Sequence, residues 1–448
     1  MNIHFIAIGG SVMHQLAIAL KQKGHHVTGS DDEIFDPART HLQQNQLMPE
    51  QLGWFPNKIQ QLDAVVLGMH AKPDNPELLQ AQKQNIPIYS YPEYIYNQSK
   101  QKKRIVIAGS HGKTTTTAMI MHVLKQCQID FDYLVGAKLE GFQQTVKITN
   151  APIIIIEGDE YLASPIHQKP KIHYYKPHIA VLTGIDWDHI NVFPTLEQYV
   201  QQFEIFVQQH IETNGTLIFN PTDNTVAQIA QNAKHLTIIP YQTTQYSTEN
   251  GNIRVWDGEK NISLQIFGQH NQQNMEAAHQ VCQTLGINSS NFYNAMQSFK
   301  GAAKRLELFI QNEHFTVFKD FAHAPSKVKA STKALKKQNN NRQLIACLEL
   351  HTYSSLNINF LPQYQNTLDD ADIALVLFDP HALSIKKLPD LDTNAVKKAF
   401  NNPKLIVFDH PDKLEKHLKT LNFANTNVLL MSSGNFGGIN WSKLFQNK

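Results

Sequence analysis

The sequence is poor in cysteine and almost without excess charge. Its three cysteines, Cys127, Cys282 and Cys347, form neither a CxxC pair nor an even set for disulfides, which fits a reducing compartment. The 40 basic residues barely exceed the 38 acidic ones, so no broad cationic surface is expected to hold nucleic acid or an anionic membrane. A disulfide scaffold is excluded, and nucleic acid is not an expected partner.

Long apolar runs and a leading basic segment are also lacking. Apolar bursts such as residues 153–156 fall far below the roughly 18 residues that a membrane helix needs. The chain begins Met-Asn-Ile-His, with no lysine or arginine ahead of its first apolar stretch, unlike a secretory signal. We therefore expect a cytoplasmic protein without a membrane partner.

Repeated apolar runs indicate how the chain is organised. With 448 residues, it is long enough for about three domains of ordinary size. Apolar runs at 2–8 and 26–29 alternate with helical patterns up to a polar, basic segment at 97–104, and the alternation resumes after it and again from about residue 314. Strands alternating with helices predict an α/β fold. The expected domains are 1–99, 100–306 and 307–448.

Particular segments carry more specific expectations. Residues 105–108, 152–156 and 179–183 are apolar throughout, which is typical of central parallel strands covered on both faces. Residues 243–263 mix Thr, Asn, Gly and single apolar residues, which predicts an insertion or a short antiparallel ribbon. The pattern near 360–368 predicts a helix.

A glycine-rich segment carries the strongest chemical signal. Ala-Gly-Ser-His-Gly-Lys-Thr-Thr-Thr at 108–116 lies between a strand and a helical pattern. Such a loop turns backbone N–H groups toward phosphates, with Lys113 on the β and γ oxygens and the Thr114 hydroxyl on Mg²⁺. Ile107 stands where the first glycine of the full GxxxxGK[ST] pattern belongs. A chance turn is the competing interpretation, which the strand and helix context disfavours.

Acidic clusters follow two of the predicted central strands. Glu-Gly-Asp-Glu occupies 157–160, and Asp-Trp-Asp-His occupies 186–189. Because the carboxyl ends of parallel strands meet at one edge of a sheet, Glu157 is expected to face the phosphate loop and can bind a metal ion. His189 at the next strand end is a candidate for metal or phosphate contact. A solvated acidic turn and a plain surface histidine are the alternatives.

The N-terminal turn imitates a dinucleotide fingerprint. Gly-Gly-Ser at 9–11 is followed by Asp31 about 22 residues beyond Gly9, although Ala7 and Val12 replace two expected glycines. The turn predicts a diphosphate ligand without specifying NAD. A glycine turn in a domain that binds nothing is the alternative.

Together these motifs resemble the Mur ligases, ATP-dependent enzymes that add amino acids or peptides to UDP-N-acetylmuramate. Gly-Gln-His-Asn-Gln-Gln-Asn at 268–274, Lys-Arg-Leu-Glu at 304–307 and Asp-Phe-Ala-His-Ala-Pro at 320–325 extend the resemblance over all three domains. It implies a Rossmann-like UDP-binding domain, a central P-loop ATPase-like parallel sheet and a Rossmann-like C-terminal domain. It also implies an ADP-forming amide ligase of peptidoglycan metabolism that uses ATP and Mg²⁺ on small-molecule substrates.

The resemblance further implies a role for each candidate residue. The expected catalytic residues are Lys113, Glu157, His189 and Arg305. The expected metal ligands are Thr114, Glu157 and His189. The expected ATP contacts are Gly109, Ser110, His111, Gly112, Lys113, Thr114, Thr115, Asn271, Arg305, Asp320 and His323, and the expected UDP contacts are Gly9, Gly10, Ser11 and Asp31. Some members use a carbamylated lysine after the Asp-His pair, but no lysine occurs from 190 to 215, so that device is absent here.

Two branches of the family fit, and they differ in the amine they accept. Segments 29–40, 164–177 and 431–438 resemble the branch that joins L-Ala-γ-D-Glu-meso-diaminopimelate to UDP-N-acetylmuramate during peptidoglycan recycling. Residues 349–355 resemble the branch that adds L-alanine in primary synthesis, although hydroxyl residues stand where that branch has arginines. We favour the tripeptide, with L-alanine as the alternative.

Other classes explain less of the chain. A nucleotide-binding but non-catalytic Mur-like protein would keep the phosphate loop and lose turnover. A Rossmann oxidoreductase would leave that loop without a purpose, and a folate-type glutamate ligase would not need the N-terminal domain.

Overall fold

The structure is a computed structural model of the chain, and its contacts separate two units. It describes residues 1–243, 246–249, 252–256, 260–266, 268–301, 306–338 and 340–446. The first unit comprises Met1–Ile185, Val200–Gln242 and Ala277–Phe292, and the second comprises Asp186–Tyr199, Thr243–Glu276 and Tyr293–Lys448.

The first unit opens with a parallel sheet flanked by helices. Its elements are β1 (Asn2–Ile6), α1 (Ser11–Gln22), β2 (His26–Ser30), α2 (Ala38–Gln44), β3 (Ala64–Leu67), α3 (Pro76–Lys83), β4 (Ile88–Ser90) and α4 (Tyr91–Ser99). The strand order is β2-β1-β3-β4. The apolar run predicted to extend to residue 8 leaves the sheet after Ile6, because Ala7 adopts a φ of 64° and begins a turn.

A larger sheet follows in the same unit. Its elements are β5 (Lys103–Ala108), α5 (Lys113–Gln126), β6 (Asp132–Leu134), β7 (Val146–Lys147), β8 (Ile153–Glu157), β9 (Ile179–Leu182), β10 (Thr216–Phe219), α7 (Asn224–Asn232) and β11 (Thr237–Pro240), with α6 (Leu196–Ile205) between β9 and β10. The order is β11-β10-β9-β5-β8-β6-β7, parallel except for β7. The three apolar runs thus form neighbouring interior strands, as predicted.

An antiparallel ribbon and two helices come next in the chain. The elements are β12 (Tyr246–Glu249), β13 (Asn252–Trp256), β14 (Asn261–Leu264), α8 (Gln269–Thr284) and α9 (Ser289–Met296). The three strands pair antiparallel in sequence order. The predicted short antiparallel ribbon is therefore confirmed for the part of this segment that the structure describes.

The second unit contains a third α/β sheet. Its elements are β15 (Glu307–Gln311), β16 (Phe315–Asp320), α10 (Pro325–Gln338), β17 (Gln343–Leu350), β18 (Ile373–Phe378), α11 (Pro380–Ile385), α12 (Thr393–Phe400), β19 (Leu405–Phe408), α13 (Pro411–Thr420), β20 (Thr426–Met431) and α14 (Trp441–Gln446). The order is β15-β16-β20-β17-β18-β19, with β15 antiparallel to its neighbour. Apolar residues of α10 and α12 pack in one cluster, and those of α13 and α14 pack in another, so helices cover both faces.

The prediction of a helix near residues 360–368 is wrong. Only a 3-10 turn, Leu361–Tyr364, forms there. Pro362 lacks an N–H and is therefore tolerated only in the first turn of a helix. Asn366 adopts a positive φ of 60°, which is not a helical conformation. The broader expectation of an α/β fold with parallel sheets is confirmed, while the boundaries near 100 and 307 stay predictions. No helix among the described residues is long and apolar enough to cross a membrane.

Candidate active site

The glycine-rich segment forms the turn between β5 and α5. Gly109 has a φ of 125° and Gly112, which precedes the helix, has a φ of 78°. A Cβ on Gly109 would lie 2.3 Å from Thr183 Oγ1, so only glycine fits this position. Helix α5 begins at Lys113, and the N–H groups of its first turn have no partner within the helix. The loop therefore has the form of a phosphate site.

Backbone contacts hold the rest of the loop in place. The Ser110 N–H donates to the Gly184 carbonyl at 2.8 Å, and the Thr183 hydroxyl donates to the His111 carbonyl at 2.5 Å. Thr115 is buried in the first turn of α5. These contacts tie the loop to the end of β9, the strand next to β5.

Lys113 is paired with an acid that follows β8. Its Nζ lies 2.8 Å from Glu160 Oε2 and also donates to the Gly109 carbonyl, while the Glu160 side chain is only 1% exposed. Burial alone would lower the pKa of Lys113, but nearby carboxylates, led by Glu160, outweigh it and raise the pKa. Lys113 is therefore a fixed positive charge in the loop. The sequence indicated the lysine but not this partner.

Thr114 and Glu157 meet at the carboxyl edge of the sheet, as predicted. The Thr114 hydroxyl donates to Glu157 Oε1 at 2.5 Å, and the Gly136 N–H donates to Glu157 Oε2 at 2.8 Å. A hydroxyl and a carboxylate side by side are hard oxygen donors of the type that Mg²⁺ binds. Their service as metal ligands stays a prediction.

Asp159 belongs to a second, partly exposed ion pair that the sequence did not reveal. Lys171 Nζ lies 2.5 Å from Asp159 Oδ2, with the rings of Tyr91 and Tyr161 centred 5.7 and 5.6 Å from the ammonium group. Burial alone would raise the pKa of Asp159, but Lys171 outweighs it and the pKa is lowered. Lys171 thus balances the charge of this acidic segment.

In the N-terminal turn, Asp31 acts on the backbone. Asp31 Oδ2 accepts the Gly9 N–H at 2.7 Å, and Oδ1 accepts the Asp32 N–H at 3.0 Å. Gly10 precedes α1, which begins at Ser11. The Asp31 side chain is buried, and burial raises its pKa to about 6. Asp31 therefore shapes the glycine turn, and the direct UDP contact expected of it stays a prediction.

In the second unit, Asp188 and His189 form a tight corner. Asp188 Oδ1 accepts the His189 N–H at 2.7 Å, and His189 adopts a φ of 56°. Burial alone would raise the pKa of Asp188, but the interactions with His189, Lys327 and His323 outweigh it and lower the pKa. The neighbouring Trp187 ring packs on Phe360. These neighbours therefore favour the ionised form of Asp188.

Asp320 and His323 follow β16 in the same unit. Asp320 Oδ2 accepts the Leu306 N–H at 3.2 Å and the Ser331 hydroxyl at 2.9 Å, while Oδ1 accepts the Ala322 N–H at 2.8 Å. His323 Nδ1 lies 2.8 Å from the Phe321 carbonyl. The buried Asp320 thus links the entry into β15 with the loop before α10 and with the middle of that helix.

The last two expected ATP contacts are Asn271 and Arg305. Asn271 lies in the first turn of α8, where its side-chain oxygen accepts from Asn274 Nδ2 at 3.4 Å. Arg305 lies outside the described residues. Both roles stay predictions.

The sheets and the phosphate loop define an α/β protein built to bind a nucleotide. Residues 2–103 match the family model described as "Mur ligase family, catalytic domain", and residues 107–282 match the one described as "Mur ligase middle domain". A UDP-N-acetylmuramate–L-alanine ligase from Clostridium acetobutylicum is 31% identical over 422 residues, covering 89% of this chain and 87% of the relative. One from Clostridium perfringens is 28% identical, covering 95% and 93%. The chain belongs to the Mur ligase family, ATP-dependent ligases that form amide bonds in peptidoglycan synthesis.

Solved structures share the fold across the whole chain. A UDP-N-acetylmuramate–alanine ligase from Thermotoga maritima has a TM-score of 0.72 at 19% identity, covering 100% of this chain and 99% of that one. A murein peptide ligase from Psychrobacter arcticus has a TM-score of 0.68 at 24% identity, covering 100% and 98%. The two likenesses establish the three-domain Mur ligase fold.

Proposed function

We propose that the protein joins UDP-N-acetylmuramate to the free amino group of L-Ala-γ-D-Glu-meso-diaminopimelate, with conversion of ATP to ADP and phosphate. This is the reaction of a murein peptide ligase in peptidoglycan recycling. The observation that carries the ligase activity is the set of Lys113, Thr114 and Glu157 at one strand edge, with an ammonium, a hydroxyl and a carboxylate beside a phosphate loop. The UDP moiety is assigned to the turn at Gly9, Gly10 and Ser11.

The residues around Glu157 fit a Mg²⁺ ion. Thr114 and Glu157 supply adjacent oxygen donors, and the Gly136 N–H fixes the orientation of the carboxylate. When bound, Mg²⁺ would neutralise phosphate charge and polarise the phosphoryl group that is transferred. By resemblance to the family, His189 is assigned to a second Mg²⁺ ion.

The proposed chemistry has two balanced steps. A carboxylate oxygen of the muramate attacks the γ-phosphorus of ATP, the bond from that phosphorus to the β,γ-bridging oxygen breaks, and the products are ADP and an acyl phosphate. The amine then attacks the acyl carbon. The bond between that carbon and the phosphate oxygen breaks, phosphate leaves, and the nitrogen loses a proton. Lys113 stabilises the charge on the phosphoryl oxygens throughout, a role that requires a positioned cation. Arg305 is assigned the same task by resemblance.

The choice of the tripeptide rests on two segments. Residues 349–355 contain no arginine, and the Thr352 and Ser355 hydroxyls, which stand at the arginine positions of the L-alanine branch, bond to each other at 3.0 Å. The segment 164–177, which resembles the tripeptide branch, supplies Lys171 to the ion pair with Asp159. The missing arginines and the resemblance of 164–177 to the tripeptide branch support an acceptor other than free L-alanine.

Addition of L-alanine is the second candidate. Relatives that align with 83–98% of this chain carry the name UDP-N-acetylmuramate–L-alanine ligase. Their names fit that acceptor about as well as the two segments fit the tripeptide, so the acceptor has to be measured.

The test is phosphate release from ATP in the presence of UDP-N-acetylmuramate and Mg²⁺, with the tripeptide or L-alanine as the amine. Release stimulated by the tripeptide alone is expected. Stimulation by L-alanine alone would move the protein to primary synthesis. ATP binding without release for either amine would favour the non-catalytic alternative. Omission of UDP-N-acetylmuramate and the Lys113→Ala variant are the controls.

A further inference from the structure

The loop after β2 presents an aromatic ring on the surface. The Phe35 side chain is 69% exposed, whereas its neighbour Ile34 is 1% exposed. An exposed ring of this size does not contribute the free energy of folding that its burial would provide. A single exposed apolar residue is common, so the ring gains meaning only from what surrounds it.

Hydrogen bonds fix the backbone on both sides of Phe35. The Arg39 N–H donates to the Phe35 carbonyl at 3.0 Å, and Arg39 Nε donates to the Ile34 carbonyl at 3.0 Å. Asp36 Oδ1 accepts from both the backbone and the hydroxyl of Thr40, at 3.1 and 2.5 Å. The outward position of Phe35 is therefore built into the start of α2.

The same loop lies directly against the glycine turn. A Cβ placed on Gly9 would be 3.1 Å from Ile34 Cγ1 and 3.4 Å from the Glu33 carbonyl oxygen. In parallel sheets of this kind a diphosphate binds at the first turn, and the nucleoside extends over the end of the second strand. Phe35 follows that second strand by five residues. The ring is thus near the expected position of the nucleoside.

The Asp31 carboxylate is engaged by the backbone, so we expect residues that follow it to contact the nucleoside. Both carboxylate oxygens of Asp31 accept backbone N–H groups, and its side chain is buried. The exposed residues that follow, up to the start of α2, are Asp32, Glu33, Phe35, Asp36 and Pro37, of which only Phe35 has an aromatic face. Such a face is what a nucleobase stacks on.

We propose that Phe35 stacks on the uracil ring of the UDP-linked substrate. The inference rests on the proposed function and deepens it, because it names a residue that binds the nucleoside end of the substrate. Stacking on one aromatic ring typically changes affinity by about tenfold or more. The contact is remote from the reacting carboxylate, so it contributes to substrate binding equally before and during the reaction.

The experiment is calorimetric titration of UDP and of UDP-N-acetylmuramate, without ATP, into four variants and the parent protein. Phe35→Ala and Phe35→Leu are expected to raise Kd for both ligands about tenfold, while Phe35→Trp keeps it near the parent value. Leu79→Ala removes a side chain that is 50% exposed in the same sheet domain and should leave Kd unchanged. In turnover, Phe35→Ala should raise KM for the UDP substrate by the same factor, with kcat and KM for ATP unchanged.

The outcomes separate this inference from the proposed function. If the parent binds UDP-N-acetylmuramate and Phe35→Ala binds it equally well, the stacking contact is overturned and the proposed function stands. Equal binding by Phe35→Leu would overturn stacking in favour of simple apolar cover. If the parent binds neither ligand, the proposed function fails, and the inference fails with it.

Discussion

The Lys113 ammonium and the Glu160 carboxylate lie 2.8 Å apart at the carboxyl edge of the central sheet, with 14% and 1% of their side chains exposed. The lysine that is assigned to phosphate binding is thus already paired with a buried acid, which lies three residues beyond the end of β8. Removing either partner leaves the other charge buried and uncompensated, which is the costly way to break such a pair.

Lys113→Ala is therefore expected to lose both turnover and stability. Turnover should fall about 100-fold or more, because a positioned charge on the phosphoryl group is missing. Stability should fall by about 3–5 kcal/mol, because Glu160 stays behind as an unpaired buried charge. Thermal unfolding and phosphate release measure the two losses.

The double variant Lys113→Ala with Glu160→Gln separates these effects. Neutralising Glu160 should recover most of the lost melting temperature without recovering turnover. Near-parental phosphate release by Lys113→Ala would remove the lysine from the mechanism. Equal melting of the single and double variants would show that the buried pair is not what stabilises this edge.

Loss of the Thr114 hydroxyl should weaken the response to Mg²⁺. Thr114→Val keeps the shape of the side chain but removes the oxygen that lies 2.5 Å from Glu157. The Mg²⁺ concentration that half-saturates ATP turnover is expected to rise about 10- to 100-fold, as when groups around a metal site are removed. A magnesium titration of phosphate release measures the shift.

Thr117→Val is a matched control for that experiment. Thr117 lies in the same helix, and its buried hydroxyl has no hydrogen-bond partner among the residues that the structure describes. Its removal should leave the magnesium titration unchanged. A shift of equal size in both variants would attribute the effect to packing of α5 and not to a lost ligand.

Much of the central and C-terminal sheets could be predicted because their strands are uninterrupted apolar runs. β18 and β19 occupy the predicted 373–378 and 405–408, since buried parallel strands need apolar side chains on both faces. β4 escaped prediction because it has three residues and only one of them is buried. A short strand of that kind has too little pattern to be told from a loop.

The site divides along similar lines. Thr114 and Glu157 could be placed together because strand order alone brings their positions to one edge. The partners Glu160 and Lys171 could not, because their pairing depends on the path of the irregular chain between β8 and β9. Asp31 was expected to face a ligand, yet its hydrogen bonds go to the backbone of the turn, and no sequence pattern distinguishes those two uses of an aspartate.

Gly109→Ala is expected to abolish nucleotide binding. Its φ of 125° is unfavourable for alanine, and the new Cβ would meet Thr183 Oγ1 at 2.3 Å and the Gly184 carbonyl at 2.9 Å. The loop must move, and the N–H groups at the start of α5 move with it. ATP binding, measured by calorimetry, should fall below detection.

Gly24→Ala tests whether strain alone explains that loss. Gly24 also has a positive φ, 94°, but a Cβ there would meet nothing within 4 Å. This variant should lower stability by about 1 kcal/mol and leave ATP binding intact. Retained ATP affinity in Gly109→Ala would show that the loop tolerates the clash and that its glycine serves another purpose.

The buried Asp31 gives the N-terminal domain a stability that depends on pH. Its pKa is about 6 in the folded protein against an ordinary value of 3.8, with burial as the main cause. The folded state therefore holds this proton more tightly than the unfolded state does. Its stabilising contribution is complete below about pH 4 and is lost as the pH rises through 6. A shift of this size corresponds to a loss on the order of 3 kcal/mol.

Asp31→Asn removes this titration and keeps an acceptor for the Gly9 N–H. Urea unfolding of both proteins from pH 4 to 8 should show the parent losing stability relative to Asp31→Asn between pH 4 and 6, with no further change above pH 7. Titrating groups other than the neighbouring Asp32, whose charge also raises the pKa of Asp31, act equally on both proteins, so the difference isolates the Asp31–Asp32 pair. Parallel profiles, or a parent that gains relative stability with rising pH, would mean that Asp31 is ionised without cost, and burial would then not be the dominant influence on this carboxylate.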